Sequence, residues 1–107
     1  MKVIYISSPF THGDIIQNVN VQIEAAHRIM DMGHCPIAPN LTHFMDVQRK
    51  RPYEEWMQID LELVERCDVV LRLPGFSPGA DREVARAGSS GIPIAFGWGD
   101  LADVLDD

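Results

Sequence analysis

The sequence predicts an α/β fold: one flavodoxin- or Rossmann-like three-layer sandwich spanning residues 1–107, with a parallel sheet of four to five strands between helices. Short β-branched apolar runs alternate with segments of helical periodicity, the pattern of βα units joined by right-handed crossovers. The strand-like runs are apolar at successive residues, as in strands covered on both faces. A chain of 107 residues, 46% hydrophobic and 23% charged, has material for one core and not for two.

Lys2-Val3-Ile4-Tyr5-Ile6-Ser7 reads as the central strand. Beyond a polar turn containing Gly13, the residues Val19, Ile23, Ala26, Ile29 and Met30 recur at helical spacing, and Gly33 provides the stop. Residues 35–39 form a short second strand, whose prolines suit a sheet edge. Residues 40–51 read as a long connection. Pro52 opens a helix with Trp56, Ile59, Leu63 and Val64 on its apolar side. Residues 68–73 form a third buried strand, Pro74–Gly79 a turn, and a helix follows through about Ala87. Residues 92–96 complete the sheet, and Asp100 caps a last short helix.

Composition narrows the class of function. A net charge of −7, with Asp100, Asp103, Asp106 and Asp107 near the end, disfavours a nucleic acid polymer and favours a small ligand. No apolar run approaches the roughly 18 residues of a membrane span, and the first residues turn polar too soon for a secretory signal. A soluble, cytoplasmic protein without membrane partners is expected. Cys35 and Cys67 read as buried free thiols, not a disulfide or zinc framework. So short a sheet, with a dozen-residue loop after its second strand, predicts a homodimer or larger homo-oligomer.

In such sheets ligands bind at the carboxyl ends of the strands. That places the site among three loops: Ser7–Asp14, Asn40–Asp46 and Pro74–Glu83. In the third, N–H groups around Gly79 and Ala80, the Ser77 hydroxyl and the positive helix end suit a phosphate or sugar hydroxyl; an ordinary turn is the alternative. Asp81 and Glu83 fall in the first turns of the helix, where the macrodipole favours ionised carboxylates for chemistry or for simple charge pairing. Asp60 lies among Glu54, Glu55, Glu62 and Glu65, a solvated face unless it meets Glu83 across the cleft as a proton donor. Tyr5 needs a hydroxyl partner if buried, and Tyr53 and Trp56 either stack on a base or pack in the core. His12 and His43 are candidate ligand contacts, and no metal site is expected because no histidine pair stands at a ligand spacing.

Three segments, in this order, resemble the nucleoside 2-deoxyribosyltransferases and their hydrolytic relatives acting on 2'-deoxynucleoside 5'-monophosphates. They are Val3-Ile4-Tyr5-Ile6-Ser7-Ser8-Pro9-Phe10, Asp60-Leu61-Glu62-Leu63-Val64 ahead of Asp68-Val69-Val70, and Ser77-Pro78-Gly79-Ala80-Asp81-Arg82-Glu83. The resemblance implies cleavage of an N-glycosidic bond with Glu83 as nucleophile, Tyr5 bonded to it and Asp60 on the reacting nucleoside. It places Ser7, Pro9, Phe10 and Ser77 in the pocket, and to these candidate substrate contacts the loop reading adds His43, Trp56, Gly79 and Asp81. Neither metal nor organic cofactor is implied. Arg82 and Val84-Ala85 stand where family members often have a large residue and Leu-Gly, which touches substrate shape. The first loop is closer to the transferases, whereas Ser77 leans to the hydrolases, and Arg72 and Arg82 are the nearest cations for a phosphate. Two alternatives make different demands: a non-catalytic nucleotide-binding module keeps Ser77 and Gly79 without an ionised Glu83, and a metal-dependent phosphohydrolase uses His12, Asp14 and His43.

Overall fold

The computed structural model describes residues 1–106. Its strands are β1 (Val3–Ser7), β2 (Cys35–Ile37), β3 (Val69–Arg72) and β4 (Ile94–Phe96), all parallel, in the order β2-β1-β3-β4. The helices are α1 (Ile15–Asp31), α2 (Thr42–Gln48), α3 (Tyr53–Arg66), α4 (Pro78–Ser89) and α5 (Trp98–Asp106). Successive β1 side chains point to opposite faces and sort the core into two layers. Ile4 and Ile6 pack with Ala25 and Ile29 of α1 and Leu101 of α5, while Tyr5 packs with Val64 of α3 and Ala87 of α4. The predicted three-layer sandwich is therefore present, with four strands.

Local chemistry sets the boundaries. Asp14 caps α1 by accepting from the Gln17 amide at 2.9 Å, and Gly33, at φ 84°, carries the chain out of it. Pro36 lies in β2, which pairs only with β1 and is an edge. Asp68 falls outside β3; its carboxylate accepts from the Val3 amide at 2.7 Å instead.

Three expectations need correction. Residues 40–51 are not one long connection: a 3-10 turn at Pro39–Leu41 leads into α2. None of the α2 residues is buried, so no periodic apolar face announced the helix. On α3, Ile59 is exposed; the core side is Trp56, Met57, Leu61 and Val64, a stripe that follows the four-residue spacing. Asp100 is not the cap of α5 but lies in its first turn, where it accepts from the Phe96 amide at 3.0 Å.

From β1 the chain passes outward to β2, then returns across the sheet to β3 and β4. Strand order reverses between β1 and β3, and a crevice opens above their carboxyl ends. Among the described residues, no helix is long and apolar enough to cross a membrane.

Candidate active site

Tyr5 and Ser7 alternate with the inward residues of β1, so both meet α4. Ser77 caps α4, its hydroxyl oxygen accepting from the Ala80 amide at 3.1 Å, and the helix then brings Glu83 down onto the strand. Glu83 is buried, only 5% exposed. Tyr5 donates its hydroxyl to Glu83 Oε2, and Ser7 donates to Oε1 at 2.7 Å. Arg72, paired with Ser7 in the parallel register, adds positive charge from β3. Burial raises the Glu83 pKa, while the Tyr5 and Ser7 hydrogen bonds and the Arg72 charge oppose the rise. These side chains, not the macrodipole alone, set its ionisation.

Asp60 projects from α3 into the same cleft. Burial, and then the charge of Glu83, push its carboxyl up to about 8, so it is a protonated acid near neutrality. Asp60 Oδ1 is buried without a hydrogen-bond partner among the described residues. One cleft thus holds an anchored carboxylate and a neutral carboxylic acid, the separation of roles that general acid and nucleophile require.

The cleft measures about 510 Å³, counting the solvent-open space at its mouth. Phe10, Trp56, Ser77 and Gly79 line it together with Asp60 and Glu83. Trp56 is fixed by its indole N–H, which donates to Asp46 Oδ1 at 2.8 Å. Asp46 also accepts from the Arg51 amide at 2.9 Å, and that bond, then Trp56 and Lys50, hold its carboxyl down to about 2. A Cβ at Gly79 would lie 2.6 Å from the Tyr53 hydroxyl, so Tyr53 would have to shift to admit one.

Tyr5 and Ser7 stand outside the lining, beneath Glu83, and so do three further candidates. Pro9 braces the loop after β1, its carbonyl accepting from Asn40 at 3.0 Å and its ring lying against Gly75, where a Cβ would come within 2.7 Å. His43 sits edge-on behind Phe10, with ring centroids 6.1 Å apart. Asp81 is exposed and pairs with Arg72 at 3.3 Å. His12 lines the cleft and packs against Phe76, while Asp14 is spent on the α1 cap. Among the described residues, no three His, Cys, Asp or Glu side chains converge as metal ligation needs. Both cysteines are free; Cys67 is buried, but Cys35, on the edge strand, is only half-buried.

Sequence reasoning missed the polar brace beneath the cleft. Gln22, fully buried, donates to Ile6 O at 3.0 Å and to Ser8 Oγ at 2.9 Å, and accepts from the Asn40 amide at 2.9 Å. Asn18 donates to the Phe10 and His12 carbonyls at 2.9 and 2.8 Å. The available signal was Gln22 standing on the same helical stripe as Val19, Ala25 and Ile29.

Residues 2–97 match the model of a family described as a domain of unknown function, DUF7768. The chain belongs to that family. No curated protein matches this DUF7768 chain. Among solved structures, it is similar to the CMP N-glycosidase BcmB of Clostridium botulinum, at 18% identity over 88% of this chain and 69% of the other, with a TM-score of 0.59. It is also similar to a 2-deoxyribosyltransferase of Bacillus psychrosaccharolyticus, at 21% identity over 87% and 69%, with a TM-score of 0.56. At such identities the likeness establishes the fold, that of the nucleoside deoxyribosyltransferases.

Proposed function

We propose that this protein cleaves the N-glycosidic bond of 2'-deoxynucleosides or their 5'-monophosphates through a glycosyl ester on Glu83. The observation that carries the reading is the buried Glu83, held by two β1 hydroxyls in the cleft that Asp60 also lines. The names of the two structural neighbours, a CMP N-glycosidase and a 2-deoxyribosyltransferase, support it.

In the first step Glu83 attacks the anomeric carbon as the bond to the base breaks, and Asp60 gives its proton to the departing base. The product is a deoxyribosyl ester of Glu83 with an ionised Asp60. Water or a second base then attacks the same carbon, loses its proton to Asp60 and frees Glu83, with net retention of configuration. A sugar lacking its 2'-hydroxyl destabilises the oxocarbenium-like transition state less, which suits a site with one nucleophile. Phe10 and Trp56 provide flat apolar walls for a base, and Asp60 Oδ1 gains a partner when a ligand donor enters.

The protein acts in the cytoplasm as a homodimer in this reading. Leu41, Phe44, Met45 and Val47, all exposed along α2 and the turn before it, offer apolar surface for a second copy. Light scattering in solution tests that element.

Chromatographic detection of free base, comparing wild type with Glu83→Gln and with or without an acceptor base, tests the reaction. Release abolished by the substitution is expected, and acceptor dependence separates transferase from hydrolase. Ligand binding without release by the wild type would replace the reading with a non-catalytic nucleotide-binding module.

A further inference from the structure

We infer that this cleft takes the uncharged 2'-deoxynucleoside in preference to its 5'-monophosphate, an inference that rests on the glycosidic reading above. A phosphate monoester carries nearly two negative charges at neutral pH and is held by Arg, Lys or free helix-terminal N–H groups. None of the nine Lys and Arg residues lines this cleft.

The two cations nearest Glu83 are committed elsewhere. Arg72 donates to the Leu73 carbonyl, to the Gly75 carbonyl at 2.9 Å and to Asp81 at 3.3 Å. Arg82 pairs with Glu54 at 2.5 and 3.3 Å on the outer side of α4. The N-terminus of α4 is likewise consumed. Pro78 has no N–H, Ala80 donates to Ser77 Oγ, and Asp81 donates to the Ser77 carbonyl at 3.0 Å. Among the described residues only the Gly79 N–H of this turn has no partner.

The field points the same way. Glu83 faces the cleft, and the whole chain carries a charge of −7, so a dianion is repelled on approach. Besides Ser8, Tyr53 and Ser77, the polar side chains lining the cleft include Thr11, His12 and Thr42, of the kind that pairs with a free 5'-hydroxyl. In this respect the chain departs from the CMP N-glycosidase whose fold it shares, an enzyme named for a monophosphate.

The test pairs each 2'-deoxynucleoside with its 5'-monophosphate. Base release by wild type gives kcat/KM, and calorimetry on folded Glu83→Gln gives affinity without turnover. We expect both to favour the nucleoside by about tenfold or more, the gap narrowing as salt screens the repulsion. A monophosphate preferred in either assay overturns the inference and leaves the glycosidic reading standing. Selective nucleoside binding without cleavage by wild type removes the reaction and upholds the cleft's preference. Neither bound nor cleaved overturns both.

Discussion

Ser7 Oγ donates to Glu83 Oε1 at 2.7 Å, while Tyr5, two residues earlier on the same strand, donates to Oε2. The two-residue period of a strand therefore fixes the carboxylate plane from one side. Each oxygen keeps a further lone pair, so anchoring and nucleophilic attack are compatible.

Ser7 acts through Glu83 as a positioning residue. Its hydrogen bond favours the ionised carboxylate, so Ser7→Ala raises the Glu83 pKa further and shifts the acid limb of kcat/KM upward in pH. A hydrogen bond to a charged group is worth about 1.5–3 kcal/mol, so activity on the acid side falls by roughly 10- to 100-fold. A pH–rate profile reads this directly; an acid limb that stays in place would detach Ser7 from Glu83.

Asp60, with a pKa of about 8, gives the profile its alkaline limb, since activity needs its proton. Asp60→Asn should remove that limb together with most of the activity. Stability follows the same titration. The folded state binds the proton more tightly than the unfolded chain, whose carboxyl titrates near 3.8, so the contribution is complete below that value and is lost as pH rises through 8. Denaturant unfolding from pH 4 to 9 should show stability declining for wild type and a flatter curve for Asp60→Asn.

The Asp46 carboxylate holds the Trp56 indole at 2.8 Å. Asp46→Ala frees the ring that walls the cleft, and KM should rise roughly tenfold or more, since a hydrogen bond to a charged carboxylate is worth about 1.5–3 kcal/mol, with kcat little changed. Steady-state kinetics alongside tryptophan fluorescence distinguishes this from loss of fold. A fall in kcat at constant KM would place Trp56 outside substrate binding.

Gln22→Leu strands the Asn40 amide, the Ser8 hydroxyl and the Ile6 carbonyl in the interior. Stability should fall by about 2–4 kcal/mol, measured by urea denaturation, because buried groups lose partners that water cannot replace.

A Cβ at Gly79 meets only the tip of a half-exposed Tyr53. Gly79→Ala should therefore cost under about 1 kcal/mol, and combining it with Tyr53→Phe should recover part of that cost. Thermal melts of the single and double variants measure the coupling; strictly additive losses would mean that the contact carries no strain.

Hydrophobic patterning determined the layers and the four strands, because each βα unit buries an apolar run that the sequence displays locally. The resemblance carried by three motifs in order, and not the patterning, brought Tyr5, Asp60 and Glu83 forward. The patterning failed for α2, whose residues are all at least partly exposed, and for Ile59, which shares an α3 spacing with buried neighbours while facing solvent. The tertiary structure alone decided the state of the site. Packing α3 and α4 against β1 removed water from Asp60 and Glu83, and desolvation is a property of distant segments brought together. The same packing turned Gly79 into a seat for Tyr53 and Asp81 into an outward ion pair. A residue's type sets which bonds it can make; the neighbours supplied by folding decide which of them it makes.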